Sequence, residues 1–176
     1  AIPFILLPVL TRYLSPAEYG EVGMFLMLIA GLAAFTGISV HGAANRKFFD
    51  DHLEESTLKD FIGACLQVLL VSSLLVLAIA WIFQEQLSEW SGLQPQWILW
   101  GVFASAASFV FQLRMGQWQV RKQAKLYGIT QVSQALVNIL LSILLVVVFL
   151  QGADGRISAY IISTVAFAIL AVFLLH

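Results

Sequence analysis

Hydrophobic and polar positions along this chain separate into long blocks. Residues 22–40, 61–83, 90–113, 126–153 and 157–175 contain no Asp, Glu, Lys or Arg. A helix needs about 20 apolar residues, within a range of roughly 17–25, to cross the hydrocarbon core of a bilayer. Each of the five runs is long enough. In lipid every backbone N–H and C=O has to be satisfied within the segment, so such runs predict helices. The opening AIPFILLPVL reads as the later part of a further spanning helix. The pattern predicts an all-α, polytopic transmembrane helix bundle of six spans, the first truncated. The spans cover about 1–14, 17–44, 59–83, 94–117, 127–150 and 156–176.

Composition strengthens this reading. The chain is 60% hydrophobic and 11% charged, against about 25% charged residues in soluble domains. A soluble fold of 176 residues cannot hide that much apolar surface. The net charge of −1 gives no basis for a nucleic-acid partner. Cys65 is the only cysteine, so an intrachain disulfide is excluded, and its apolar run marks it as a small buried hydrophobe. The chain starts with Ala and lacks the basic segment that opens a secretory signal, so a piece of a larger transporter-like protein is expected.

Charge placement orients the spans. Arg46, Lys47 and Lys59 follow the second span, and Arg114, Arg121, Lys122 and Lys125 follow the fourth, which puts seven of nine basic residues on one side. Only Arg12 and Arg156 stand opposite, and the 84–96 loop has none. Lys and Arg concentrate in short cytoplasmic loops, so the expected topology has the N-terminus inside. Trp81, Trp90, Trp97 and Trp100 surround the outer loop and Trp118 and Tyr127 flank the inner one, as interface anchors do. A sugar-stacking platform is the alternative for the tryptophans.

The first turn carries a capping signature. Ser15 can cap the second helix, Pro16 suits its first position and Glu18 can close a capping box. The first two helices are thus predicted to form a tight hairpin. Gly23, Gly31, Gly37 and Gly42 on the second span allow close approach or bending.

Polar residues inside the apolar runs supply the candidate chemistry. Gln131, Gln134, Asn138 and Ser142 fall at offsets of 0, 3, 7 and 11, on one face of span five. Amides facing lipid are costly, so this stripe faces either a watery cavity or hydrogen-bonding partners on other helices. Gly101, Ser105, Ser108 and Gln112 form a weaker counterpart on span four. Arg114 falls on the far side of that helix and is expected to snorkel to headgroups. His41, Asn45 and Arg46 form either a polar cavity entrance or a helix cap at the interface. Gln67 is isolated and expected to bond to a neighbour. Arg12 has two open readings, pairing with Glu18 or Glu21 or offering a guanidinium fork to an anionic substrate such as a phosphate. The acidic group Asp50, Asp51, His52, Glu54 and Glu55 matches no established metal-ligand spacing and reads as a solvated loop. GADG at 152–155 reads as a turn between spans. No nucleophile–base pair and no Gly-rich phosphate loop is recognisable, so neither an enzyme nor a cofactor or metal is expected.

The segment PVLTRYLSPAEYGEVGMF, residues 8–25, resembles the N-terminal hairpin of bacterial polysaccharide flippases. These are the O-antigen and exopolysaccharide exporters of the multidrug/oligosaccharidyl-lipid/polysaccharide superfamily. The pattern covers Pro8, Leu10 through Pro16, Tyr19 and Gly20. GISVHGAANRKFF resembles the family's second-helix ending, with Gly37 and Arg46 in place, and LRMGQWQVRKQAKLYGITQVSQALVNILLS its fourth-to-fifth helix connection. The resemblance implies the N-terminal six-helix lobe, residues 1–176, of a two-lobed transporter in the bacterial cytoplasmic (inner) membrane. It implies movement of undecaprenyl-diphosphate-linked oligosaccharide, on the way to lipopolysaccharide or exopolysaccharide, by alternating access. The lipid bilayer, the lipid-linked oligosaccharide and other polysaccharide-assembly proteins are the implied partners. Substrate contacts are then expected from Arg12, His41, Asn45, Arg46, Gln131, Gln134 and Asn138.

Other functions stay open. A peptidoglycan-precursor flippase belongs to the same superfamily. A cation-coupled drug exporter is expected to carry an intramembrane carboxylate, which none of the five uncharged runs supplies. A membrane glycan polymerase or ligase needs a large outer loop with catalytic residues, and the outer loops here are short.

Overall fold

The structure, a computed structural model, describes residues 2–36 and 55–173. Helix α1 (Ile2–Tyr13) and α2 (Pro16–Phe35) form the hairpin. They are followed by α3 (Glu55–Ile82), a short α4 (Gln84–Ser91) and α5 (Pro95–Val120). Then come α6 (Ala124–Ile143), which continues into a π-helical turn at Leu144–Val148, and α7 (Gly152–Phe173). Among the described residues, five of these helical stretches are long and apolar enough to cross a membrane: α2, Gly63–Ile82 of α3, α5, α6 with its π turn, and α7. The described part of the chain is a polytopic helical bundle.

The hairpin forms for the reason its sequence suggests. The Ser15 N–H donates to Glu18 Oε2 at 2.8 Å, and the Glu18 N–H donates to Ser15 Oγ at 3.3 Å, a complete capping box. Pro16 fills the first helical position, where no N–H is needed. The Glu18 carboxylate reaches further, lying against Gly152 and the Ala153 N–H at the start of α7. One side chain thus ties the α1–α2 turn to the positive end of another helix dipole. Ser15→Ala removes the cap and is expected to cost about 1 kcal/mol. A melting curve of the full-length protein in detergent that matches wild type overturns this.

Helix α5 is the central post. Its buried Ile98, Val102 and Ala104 pack with Val22, Phe25 and Ile29 of α2, Ala80 of α3 and Ile157 and Ile161 of α7. The close seam lies at Gly101, where a Cβ would sit 3.4–3.7 Å from Leu28, Leu32 and Phe25. Nothing lies within 4 Å of a Cβ built at Gly23 or Gly31, so the α2 glycines expected to permit close approach do not do so there. The residue that does is on the facing helix. A second cluster joins Leu6 and Leu10 of α1, and Leu14 just after it, to Val146 in the π turn. A third gathers Phe111, Met115 and Trp118 of α5 with Ala171 of α7. Cys65 is buried, as its apolar setting implies. Leu70, Leu74 and Leu75 of α3 and Ile129, Val132, Leu136 and Leu140 of α6 are exposed. In a membrane protein such apolar faces meet lipid.

Several local expectations are corrected. The stretch after α3 is largely helix α4 rather than an open loop, closed by Gly92 in the left-handed region (φ 69°), whose N–H donates to Ser88 O. Residues 152–155 are the first turn of α7, not a turn between spans. Gly152 supports this by its positive φ of 55°, which lets the chain reverse after the π turn. Trp97 is no interface anchor. Its buried ring donates from Nε1 to Asp154 Oδ1 at 2.8 Å, clamping α5 to α7. Trp118 is likewise core, whereas Trp81, Trp90 and Trp100 are exposed. Arg114 runs forward along its own helix toward its C-terminal end, a direction compatible with the snorkelling expected of it. Its Nη1 donates to Gln117 Oε1 at 2.6 Å and its guanidinium lies 4.9 Å from the centre of the Trp118 ring. Gln67 is exposed, with no hydrogen bond to a neighbouring helix among the described residues.

Candidate functional site

A half-open cavity of about 580 Å³ lies between α1, α2, α5, α6 and α7. Its position follows from the helices. Ser108 and Gln112 sit near the middle of α5, Gln134 and Asn138 near the middle of α6, Arg156 in the second turn of α7, and Tyr160 and Thr164 further along it. On the other side Leu6, Leu7 and Leu10 of α1 and Leu26 of α2 make an apolar wall. A polar floor thus faces a leucine-rich wall.

The floor is organised around Arg156. Its Nη1 donates to Asn138 Oδ1 at 3.1 Å and to Ser142 Oγ at 3.0 Å. The Ser142 hydroxyl donates in turn to the Asn138 carbonyl oxygen at 2.6 Å. Asn138 Nδ2 donates to Ser163 Oγ at 2.8 Å, and Ser163 Oγ donates to Tyr160 O at 3.0 Å. The bond to Ser163 fixes which way the amide points: nitrogen toward α7, carbonyl oxygen toward the guanidinium. Ser142 and Ser163 are almost wholly buried, so the knot is held by groups with no water to exchange for. Charge-assisted hydrogen bonds are roughly twice as strong as neutral ones. The bonds therefore link α6 to α7 as well as orienting Arg156.

Two nearby carboxylates, Glu18 and Asp154, are directed elsewhere. Glu18 faces Ser15 and the start of α7, and Asp154 accepts from Trp97. Among the described residues Arg156 makes no ion pair, and its Nε is buried without a hydrogen-bond partner. No group of His, Cys, Asp and Glu suited to a metal ion occurs among the described residues.

The residues expected from sequence are divided by this geometry. Gln134 and Asn138 line the cavity, and Ser142 completes its knot. Gln131, on the same stripe, is exposed and not part of the lining. On α5 the polar face splits as well. Ser108 and Gln112 reach the cavity, while Gly101 packs on α2 and Ser105 donates to Val102 O at 2.8 Å. Arg12 is exposed at the end of α1, outside the lining and without an ion pair to Glu18 or Glu21. His41, Asn45 and Arg46, like Asp50, Asp51, His52 and Glu54, lie outside the described residues.

Sequence reasoning missed Arg156. The signal was present: Arg156, Tyr160, Ser163 and Thr164 fall at offsets of 0, 4, 7 and 8, one face of a helix. Reading 152–155 as a turn puts Arg156 at the membrane edge, outside that stripe.

Comparison with known proteins gives this cavity a family setting. The family described as polysaccharide biosynthesis protein matches residues 1–176. A protein of Haemophilus influenzae described as an uncharacterized membrane protein is 28% identical over 171 residues, which are 97% of this chain and 39% of that relative. The chain thus spans about 39% of the length of the relative it matches. No solved structure matches it. A multi-pass helical bundle with a partly polar cavity between its helices and a family match along its whole length leads to one assignment: the chain belongs to the polysaccharide biosynthesis protein family.

Proposed function

We propose that this chain forms one lobe of a flippase that carries lipid-linked oligosaccharide across the bacterial cytoplasmic membrane. The observation that carries the reading is the two-sided cavity, with amides, hydroxyls and a guanidinium opposite leucines. A polyprenyl-linked glycan has the same division. Its sugar hydroxyls need donors and acceptors such as Gln112, Gln134 and Asn138, and its lipid tail needs an apolar wall. Only interactions that differ between two orientations of the lobe can drive alternating access. A polar floor between the helices suits that requirement, because rocking of one lobe against another can open such a cavity to either side. Arg12, His41, Asn45, Arg46 and Gln131 are proposed as further substrate contacts. The basic loops of the expected inner side favour anionic headgroups.

The test is a reconstituted flipping assay. Full-length protein in liposomes is expected to move a fluorescent polyprenyl-diphosphate oligosaccharide between leaflets, measured by its access to an impermeant lectin. Ser108→Leu combined with Gln134→Leu fills the polar side of the cavity and is expected to slow flipping at least tenfold. Rates equal to protein-free liposomes in the wild type overturn the reading. Sodium- or proton-driven movement of a cationic dye instead supports a drug exporter.

A further inference from the structure

We propose that Arg156 is an anion-binding site inside this lobe, built to take one phosphate-type oxyanion in the cavity between α6 and α7. The guanidinium has used only part of its donor set. Both recorded hydrogen bonds leave from Nη1, to Asn138 Oδ1 and Ser142 Oγ, and both acceptors are neutral. These bonds hold the group in place without cancelling its charge. Nε is buried with no partner, and Nη2 makes no hydrogen bond among the described residues. The Nε–Nη2 edge is therefore unspent, and it is the edge whose parallel N–H groups match two oxygens of a phosphate.

The surroundings leave the charge unanswered. A buried cation without a counter-charge is unfavourable, and a buried donor without an acceptor adds to that. Glu18 and Asp154 have other partners, as their bonds to Ser15 and Trp97 show. Gln112 and Gln134 line the same cavity and bring amide donors that complete an oxyanion shell. Ser163 acts as a positioning residue: by accepting from Asn138 Nδ2 it turns the amide oxygen onto Nη1 and so fixes the direction of the free edge. The ligand class is phosphate oxygen, either free or carried on a lipid. The site deepens the transport reading and rests on it for the origin of the anion, but its binding is measurable without transport.

The test uses full-length protein in a maltoside detergent, which carries no phosphate, and three probes: inorganic phosphate, undecaprenyl diphosphate and phosphatidylglycerol. Wild type is expected to bind at least one of them saturably. Arg156→Gln is expected to weaken that binding tenfold or more, and Arg114→Gln to leave it unchanged. Arg156→Lys keeps the charge but loses the fork, and is expected to fall several-fold short of wild type. It also serves as the reading variant if Arg156→Gln does not fold. Binding of phosphate itself assigns a free-anion site, and binding of the lipids alone assigns a headgroup site. Saturable binding of none of the three, or equal affinity in wild type and both Arg156 variants, overturns the proposal. A wild type that binds the anion but flips no oligosaccharide sinks the transport reading and leaves this site standing. One that flips oligosaccharide while the Arg156 variants keep anion affinity does the reverse.

Discussion

Phe25→Ala is expected to lower the stability of the full-length protein by about 2–4 kcal/mol, measured by denaturation in mixed detergent micelles. Phe25 is fully buried. It lies under the Gly101 seam, and its ring meets Tyr160 edge-on at 6.3 Å and 85°. In a membrane the helix faces leave lipid rather than water, so most of the transfer term that penalises such a change in soluble proteins is absent. The void remains. Truncation removes roughly 100 Å³, and at about 24 cal/mol per Å³ the unfilled space alone accounts for the lower end of that range. Loss of the aromatic pair adds about 0.5–1.5 kcal/mol. The effect also reaches the cavity, since Tyr160 lines it and loses its support. A stability within experimental error of wild type shows that the α2–α5 seam collapses around the gap.

Asn138→Leu is the second large effect. It deprives Arg156 Nη1 of one of two acceptors and leaves Ser163 Oγ without its donor. Hydrogen bonds to charged groups contribute about 1.5–3 kcal/mol, and a loss of that order is expected. The physical reason predicts its own remedy. If the cost comes from stranding a guanidinium, removing it as well recovers part of the loss. The double variant Asn138→Leu/Arg156→Met is therefore expected to be more stable than the sum of the two single changes allows, by about 1 kcal/mol or more. Strict additivity means that the two side chains are not energetically coupled. Flipping is expected to fall in all three variants, because each alters the polar floor.

These two residues differ in how far the sequence revealed them. Asn138 was legible, since three polar partners at helical spacing on an otherwise Ile-, Leu- and Val-rich span single out one face. Its partner was not. Arg156 carries the stronger chemistry, but the chain position of a cation does not say whether it reaches lipid headgroups or a neighbouring helix. That depends on where α7 begins, and its start is set by the left-handed Gly152 after the π turn. Trp97 and Trp118 show the same limit. Tryptophans near loops are good interface anchors on average, but these two face inward because α5 is the most enclosed helix. The capping box at Ser15–Glu18 was legible because it is local, closed within three residues by groups that chain connectivity already holds together.

The sequence by itself determined membrane residence, the helical bundle, the first hairpin and the polar stripe of span five. Each follows from spacing along a single helix or from the cost of bare backbone groups in lipid. Tertiary structure alone decided which polar faces meet. It brought Ser108 and Gln112 of α5, Gln134 and Asn138 of α6 and Arg156 of α7 around one cavity, and left Gln131 and Arg12 outside it. The physical reason is that a helix's rotation about its axis is set by packing against its neighbours. Here that packing is fixed by the close approach at Gly101, the Trp97–Asp154 clamp and the Glu18 tie to α7. None of these is a property of one helix read alone.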